Sequence, residues 1–432
     1  MNSKFGYIFG VIATLILSGC YSQPETETPY VWEQSFTFED SNSQTLLSLN
    51  ANEVSHVFAT SSRASVAHYD FDGTLLDEAE LDVNLGVGGQ FVESNQQVVW
   101  HNEMSIAGFN SDWTLGWDYS VINDAEVITS IYADSAREEV VIALKQSEST
   151  ELLVLVEGET TQSYSFDGEL PDIVTQIANN GDYIFAFAKQ EIADDQGSLY
   201  IFDSELNLLN QLENQRIDTM VPIPQGIVVG RNQLVSSIGN DGGVRWVDYG
   251  YTSDKKLLLK NTSDGVYIAR VKPPRTLIGV KGTNTISASA GPEIAKYDFD
   301  GNLQWTYLQR KNWFLSSLDF TYQAGLLGVQ ELNNGAVVFS FKERMDTIAF
   351  GNIQRTTNVQ HHVISSIGEQ VRLVTEEALV VQCGNSCSEP NTIVNAGKTE
   401  NLGVIVNSEN RMVALTQEAS DEEDRVTYLT GY

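Results

Sequence analysis

Basic residues are scarce in this sequence of 432 residues, because 25 lysines and arginines stand against 58 aspartates and glutamates. The formal net charge is therefore −33. A surface of this sign repels the phosphates of nucleic acids and anionic lipid headgroups, so nucleic acid is excluded as an expected partner. The acidity by itself indicates only a very soluble protein or a salty environment, and it identifies no ligand.

The sequence also lacks an apolar run long enough to span a bilayer comfortably. Its N-terminal run, FGYIFGVIATLIL, follows the single early cation Lys4 and ends at the small residues Ser18 and Gly19. A transmembrane helix needs about 20 apolar residues, whereas a shorter run followed by small residues is typical of a cleaved secretory signal. We therefore predict a signal peptide over residues 1–19.

Motifs of known catalytic chemistry are missing as well. The sequence contains no GxSxG, no HExxH and no phosphate-binding glycine loop. Its five histidines lack the spacing of metal ligands, and the adjacent His361 and His362 would point to opposite faces of a strand. We therefore predict no catalytic, cofactor-binding or metal-binding residue.

Cysteine occurs only three times, at Cys20, Cys383 and Cys387. The last two flank the turn-forming residues Gly-Asn-Ser in VVQCGNSCSEP. In an exported protein a nearby pair usually closes, so we predict a disulfide between Cys383 and Cys387. A redox-active pair is the alternative, but the C-x3-C spacing and the lack of a following helix do not favour it.

A short repeat dominates the rest of the chain. The stretch YDFDG occurs at residues 69–73 and again at 297–301, and in both copies period-two alternation precedes an Asp-Gly turn. This pattern predicts a β-hairpin whose Asp-Gly dipeptide adopts positive φ at both central residues. Looser copies place the glycine position of the repeat at residues 73, 113, 168, 206, 242, 301, 345 and 410.

This spacing predicts the architecture. The intervals between copies run from 36 to 65 residues, and recurrence at about 40 to 50 residues with four short strands per unit is the signature of a β-propeller. No convincing long helix interrupts the strand-like runs. We predict an all-β protein, a single β-propeller of four-stranded blades over residues 31–432, with eight blades favoured over seven.

Three tryptophans, Trp117, Trp246 and Trp305, recur at one position of the repeat, on the return strand of the hairpin. A single blade does not bury both of its faces, whereas a ring of blades buries each against its neighbours. We therefore predict that these indoles pack between blades and do not form a ligand platform.

The segment Leu17-Ser18-Gly19-Cys20 resembles the lipobox of bacterial lipoproteins. The resemblance implies that Cys20 is acylated, that the chain is cut before it, and that residues 20–30 form a polar tether. Several acyl chains together anchor a protein stably to a membrane. Tyr21 stands where an aspartate retains many lipoproteins at the inner membrane, so the resemblance implies the outer membrane, facing the periplasm, with the cell surface as the alternative.

The pattern Asp-Gly-x-x-x-Trp, seen as DGNLQW and DGGVRW, resembles the repeats of pyrroloquinoline-quinone-type propellers. That superfamily includes quinoprotein dehydrogenases and the propeller lipoprotein of the outer-membrane barrel-assembly machinery. The resemblance spans most of the chain from about residue 45, but it lies in structural residues and supports the fold more than the function.

One segment departs from the acidic background. Residues 255–281 hold seven of the 25 bases and a single acid, a local net charge of +6. Proline-containing VKPPRTLIG within it predicts an extended backbone, suited to docking an acidic partner. The alternative is that these bases only pair with neighbouring acids. The candidate partner-binding residues are Lys255, Lys256, Arg270, Lys272 and Arg275.

Together these patterns predict a lipid-anchored propeller of the cell envelope that binds a protein partner and is not an enzyme. A quinoprotein-like oxidoreductase and a carbohydrate-binding envelope protein are the two alternatives. No cofactor is predicted, and the sequence identifies neither the partner nor the oligomeric state.

Overall fold

The computed structural model describes much of the chain from residue 31 onward. The described residues are 31–38, 44–50, 53–59, 64–81, 90–93, 98–110, 112–121, 126–134, 139–147, 149–166, 173–189, 196–231, 234–250, 257–272, 275–278, 286–309, 311–312, 321–332, 334–349, 352–376, 378–383, 392–395, 398–407, 409, 411–418 and 425–432. Among them, no helix is long and apolar enough to cross a membrane. The predicted signal peptide and tether lie outside the described residues.

The first half of the chain forms four antiparallel sheets of four strands each. Blade 1 contains β2 (Gln44–Asn50), β3 (Glu53–Ala59), β4 (Ala64–Tyr69) and β5 (Leu75–Glu80). Blade 2 contains β6 (Gln90–Glu93), β7 (Val98–His101), β8 (Ser105–Phe109) and β9 (Leu115–Ser120). Blade 3 contains β10 (Val127–Asp134), β11 (Glu139–Lys145), β12 (Thr150–Val156) and β13 (Glu159–Phe166). Blade 4 contains β14 (Ile173–Asn179), β15 (Tyr183–Lys189), β16 (Gly197–Asp203) and β17 (Leu208–Gln215).

The second half forms four more sheets, two of which carry extra strands. Blade 5 contains β18 (Thr219–Ile223), β19 (Gly226–Arg231), β20 (Leu234–Gly239) and β21 (Val244–Tyr249). Blade 6 contains β22 (Leu258–Asn261), β23 (Val266–Lys272), β24 (Arg275–Ile278), β25 (Ile286–Tyr297), β26 (Leu303–Leu308) and β27 (Lys311–Asn312). Blade 7 contains β28 (Thr321–Glu331), β29 (Val337–Ala349), β30 (Asn352–Ile364), β31 (Gln370–Thr375), β32 (Leu379–Cys383) and β33 (Thr392–Asn395). Blade 8 contains β34 (Lys398–Val406), β35 (Met412–Glu418), β36 (Arg425–Gly431) and β1 (Trp32–Phe38).

The eight sheets form a ring, so the predicted eight-bladed β-propeller is confirmed. Its core lies between neighbouring blades. Val141 of blade 3 and Ala186 of blade 4 belong to one buried cluster, and Phe187 of blade 4 and Ile227 of blade 5 belong to the next. The second strand of a blade is covered on both faces, and in β11 the five central residues, 140–144, are all apolar and buried. The outer strand of a blade is far more exposed, and polar residues alternate with apolar ones along it, as in β9.

The repeat forms the hairpin between the third and fourth strands, as YDFDG predicts, but its turn differs from the expected one. In blade 6 the amide of Gly301 donates to the carbonyl of Asp298 at 3.1 Å, and the Asp298 carboxylate accepts from the amides of Asp300 and Asn302. Only the glycine has positive φ, +83°, so the prediction of two positive φ values is wrong. Trp113 and Leu206 stand at the same position with φ of 63° and 58°.

Three of the eight predicted hairpin positions are wrong. The outer hairpin of blade 3 turns at Glu157–Gly158 and not at residue 168, and Met345 lies inside β29, far from the actual turn at Gly368. The copy near residue 410 connects the first two strands of blade 8. Turns of this kind also connect the first and second strands on the same side, as at Gly335 in blade 7 and after Asn407 in blade 8. A weak match therefore does not identify the outer hairpin.

The recurring tryptophans lie between blades, as predicted. Trp246 of blade 5 donates its Nε1 hydrogen to the carbonyl of Phe299 in blade 6 at 3.1 Å, and its ring covers Gly301 so closely that a Cβ there would lie 2.4 Å from it. Trp305 of blade 6 covers Gly368 of blade 7 in the same way. The YDFDG stretch therefore recurs because the indole of the preceding blade packs on its turn.

The ring closes through a strand from the other end of the chain. β1 pairs with β36 along its full length, with Trp32 opposite Gly431, and becomes the outer strand of blade 8. Trp32 takes the position of the recurring tryptophan, donating to the Phe71 carbonyl of blade 1 at 2.9 Å over Gly73. The repeat pattern does not identify Trp32, because β36, the strand that pairs with β1, lies almost 400 residues away in the sequence.

Candidate functional site

The two faces of the ring carry different structures. The outer hairpin turns lie on one face, which we call the turn face, and this face is marked by Gly73, Gly242, Gly301 and Gly368. The connections between consecutive blades lie on the opposite face, because strand direction alternates within each antiparallel sheet.

Blades 6 and 7 extend beyond the ring on the face opposite the turn face. In blade 6 the first half of β25 pairs with β24 and β27, whereas its second half pairs with β23 and β26. In blade 7 the far halves of β29 and β30 continue past the ring and pair with β28 and β32, and β33 follows β32. We call these added strands and strand halves the blade 6–7 extension.

An ion cluster fixes the part of the extension that belongs to blade 7. Asp346 on β29 faces Arg355 on β30, whose Nε and Nη2 donate to its two oxygens at 2.8 and 3.0 Å. Arg344 contacts the same carboxylate at 3.4 Å. Hydrogen bonding from Arg355, opposed by partial burial, lowers the pKa of Asp346 to about 2. The bidentate contact holds the two long strands in register beyond the ring.

The extension differs in charge from the ring. The chain segments that contain its strands, residues 273–290, 309–322, 342–358 and 379–397, hold seven bases and four acids, a net charge of +3. The remainder of the chain therefore carries −36. An acidic macromolecule is repelled by most of this protein and least by the extension.

The predicted basic residues do not form one exposed cluster in the described part of the chain. Arg270 is buried, with Nη1 2.6 Å from Asp248 of blade 5 and Nε 2.9 Å from Glu293 of its own blade. Lys272 pairs with the other oxygen of Glu293. Both residues therefore pair with neighbouring acids, as the alternative expects, and partner binding by them stays a prediction.

Of the remaining predicted partner-binding residues, Arg275 lies on β24 and so belongs to the extension. Lys255 and Lys256 lie outside the described residues. The basic segment therefore contributes both to the seam between blades 5 and 6 and to the extension above them.

A second charged cluster lies at the seam between blades 7 and 8, where it also contacts the closing strand β1. The Lys398 ammonium is 3.1 Å from Glu376 of blade 7, donates to Thr430 at 2.9 Å, and pairs with Glu33 of the closing strand. His361 Nε2 is 3.4 Å from the second Glu376 oxygen. Apart from the partly exposed Glu33, these groups are buried, so they join blades 7 and 8 electrostatically.

The same seam holds a serine, a histidine and a carboxylate in contact. The hydroxyl of Ser340 lies 2.9 Å from His361 Nδ1, and His361 in turn faces Glu376. All three side chains are almost completely buried between strands. A substrate therefore has no access to the hydroxyl, and the arrangement joins strands and does not present a nucleophile.

The seam gives a testable pH dependence. Burial raises the pKa of Glu376, but the contact with His361 and the charge of Lys398 outweigh burial and lower the pKa to about 2. A depressed carboxylate pKa stabilises the fold above its unfolded value of 4.5, and this stability is lost as the pH falls toward 2. We expect Glu376 to contribute roughly 3 kcal/mol at neutral pH, measured by urea denaturation across this range. Glu376→Gln should flatten the acid dependence, whereas exposed Glu205→Gln should not, and equal curves for wild type and Glu376→Gln would contradict the assignment.

The other histidines and the cysteines define no site in the described residues. Burial lowers the pKa of His56 to about 4, so this imidazole is neutral at physiological pH. No group of three or more potential metal ligands occurs in the part of the chain that the structure describes. Cys383 is buried at the end of β32. Cys20 and Cys387 lie outside the described residues, so acylation and the disulfide stay predictions.

Comparison with known proteins does not assign this chain to a family. No protein-family model matches the chain, and no curated protein matches it. The solved structures similar to it include the WD40 domain of Pan2 from Neurospora crassa, at 9% identity and a TM-score of 0.41, covering 94% of this chain and 98% of that one. The propeller domain of Cps50 (Swd1) from Myceliophteria thermophila has 9% identity and a TM-score of 0.39, covering 92% and 99%.

A putative 6-phosphogluconolactonase from Bacteroides uniformis is also similar, at 12% identity and a TM-score of 0.37, covering 60% of this chain and 82% of that one. These similar structures therefore include both WD40 or propeller domains and a putative lactonase. At such low identities and TM-scores, the similarities carry no argument about what this protein binds or does.

Proposed function

We propose that this protein is a non-enzymatic binding protein of the cell envelope, anchored to the outer membrane through Cys20, and that its protein partner docks on the blade 6–7 extension. The observation that carries this proposal is the extension itself. Four strands per blade suffice to close the ring, as six of the eight blades show. Strands that continue past the ring add exposed surface without contributing to closure.

The charge distribution supports the same surface. An acidic partner is repelled by the rest of the chain, whose net charge is −36, and meets the weakest barrier at the extension, with its net charge of +3. Such a pattern steers the encounter toward one side of the molecule and excludes docking elsewhere. Contacts of this kind weaken with added salt, because exposed charges are screened over about 8 Å at physiological ionic strength.

Charge reversal on the extension tests the proposal. Arg275 and Lys311 lie on β24 and β27, the two strands that flank the first half of β25. We expect Arg275→Glu with Lys311→Glu to abolish partner recovery by crosslinking in the native envelope, with little change in melting temperature. Lys272, another predicted partner-binding residue, is less suitable for reversal, because it pairs with the buried Glu293.

A matched control reverses two bases on the ring, Lys189 and Arg245, which lie on β15 and β21. This control makes the whole protein equally more acidic but leaves the extension unchanged. Equal loss of partner in both double variants would show that net charge, and not the extension, governs binding. Full recovery with the extension variant would exclude docking at these two strands.

A further inference from the structure

The N-terminal strand enters the ring at the turn face. Trp32, the first residue of β1, packs on Gly73 in the outer turn of blade 1. Gln34 donates to the carbonyl of Gly73 at 3.0 Å. Arg411, which lies between the first two strands of blade 8, donates its Nη2 hydrogen to the nearby carbonyl of Phe71. The chain that leads to Cys20 therefore joins the ring at its rim, on the side that carries the outer turns.

The blade 6–7 extension lies on the other side of the ring. β29 begins at Val337, which pairs with Ile364 next to the outer turn of blade 7, and ends at Ala349 opposite Asn352. Its 13 residues rise about 40 Å at roughly 3.3 Å per residue. The end of the extension is thus separated from the turn face by the full height of the ring and by the added strands.

The chain outside the structure limits how far the ring moves from its anchor. Residues 20–30, between the predicted acylated cysteine and the described part of the chain, span at most roughly 40 Å when fully extended. This reach is about equal to the length of β29. A membrane at Cys20 is therefore close to the turn face, and reaching the end of the extension would require the whole ring to invert on its attachment.

We infer that the turn face is the surface that faces the lipid bilayer, and that the blade 6–7 extension is presented away from it, toward the aqueous compartment. This inference rests on the proposed anchor at Cys20 and specifies the side from which the partner of the extension approaches. The competing arrangement is electrostatic. The extension carries +3 and the rest of the chain −36, so an anionic membrane attracts the extension and repels the carboxylates of the outer turns.

Energy transfer from the protein to labelled lipid tests this orientation. Gln323 on β28 of the extension and Asp300 in the outer turn of blade 6 are both exposed and belong to adjacent blades. Full-length acylated protein carrying Gln323→Cys or Asp300→Cys is labelled with a fluorophore. It is then reconstituted into phosphatidylethanolamine and phosphatidylglycerol vesicles containing an acceptor-labelled lipid. We expect severalfold greater transfer from position 300 than from position 323.

A second pair, Glu205→Cys on the turn face and Gln354→Cys on the extension, repeats the measurement with other exposed positions. Equal transfer from both faces, or greater transfer from the extension, with protein that floats with the vesicles, would overturn the orientation alone. Protein that does not float with the vesicles would overturn the anchor and the orientation together. The parent chain, treated with the same label, measures any background from native thiols.

Discussion

Replacing Lys398 with alanine is expected to lower the free energy of unfolding by about 3–5 kcal/mol, since removing one partner leaves a buried charge uncompensated. Lys398 contacts Glu376, Thr430 and Glu33, so its removal leaves the buried Glu376 carboxylate without its ammonium partner. It also removes the side chain that contacts both the closing strand β1 and blade 7. The loss is measured as a shift of the urea midpoint at neutral pH.

The matched control is Lys260→Ala, which removes an exposed ammonium from β22 of blade 6. Exposed substitutions of this kind usually change stability by about 0.5 kcal/mol or less. A further variant, Lys398→Met, keeps most of the buried stem and separates loss of charge from loss of packing. Midpoints of Lys398→Ala and Lys260→Ala that coincide would show that the seam does not depend on its ion cluster.

Replacing Cys20 with serine is expected to leave an uncleaved precursor and to abolish stable outer-membrane anchoring. The physical reason is that the thiol accepts the first acyl chains, and a serine hydroxyl is a far weaker nucleophile than a thiolate. The measurement is the mobility of the protein on gels, its incorporation of labelled fatty acid, and its distribution between outer-membrane and soluble fractions.

The control for this prediction is Ser22→Ala, next to the predicted cleavage site but without a thiol. It should be cleaved, acylated and located like the parent chain. Cys20→Ser protein that is still cleaved and still sediments with the outer membrane would show that the lipoprotein interpretation is wrong. Because the propeller begins only at Trp32, neither substitution is expected to alter the fold.

The repeat was readable because it is local. Three features of the repeat fall within ten residues, as in YDFDGNLQW: a turn residue at positive φ, a capping aspartate five residues before the return strand, and an indole on that strand. Such patterns give the β-propeller, whereas the count of eight also included three markers that are not outer hairpins. These patterns do not distinguish the outer hairpin from other turns on the same face, which is why the positions at 168, 345 and 410 were wrong.

The partner-binding residues were harder to predict, because charge in a sequence does not reveal where a side chain lies. Arg270 and Lys272 belong to a basic run, yet both meet Glu293, which lies more than 20 residues further along the chain. Likewise, the seam cluster assembles Glu33, Glu376 and Lys398 from distant strands. Long-range pairing of this kind leaves no spacing signal, and the extension appears in the sequence only as two long intervals between repeats.

Closure by β1 has a consequence for how the protein folds in the cell. The strand made first pairs only with β36, made almost 400 residues later. Blades 1 to 7 each form from contiguous chain as it emerges, but blade 8 waits for the final strand. Joining ends so far apart costs about 5 kcal/mol of chain entropy beyond a constant term, and such non-local pairing is slow. Until β36 has been made, the ring is open at blade 8, and its unpaired strands are exposed to chaperones and proteases.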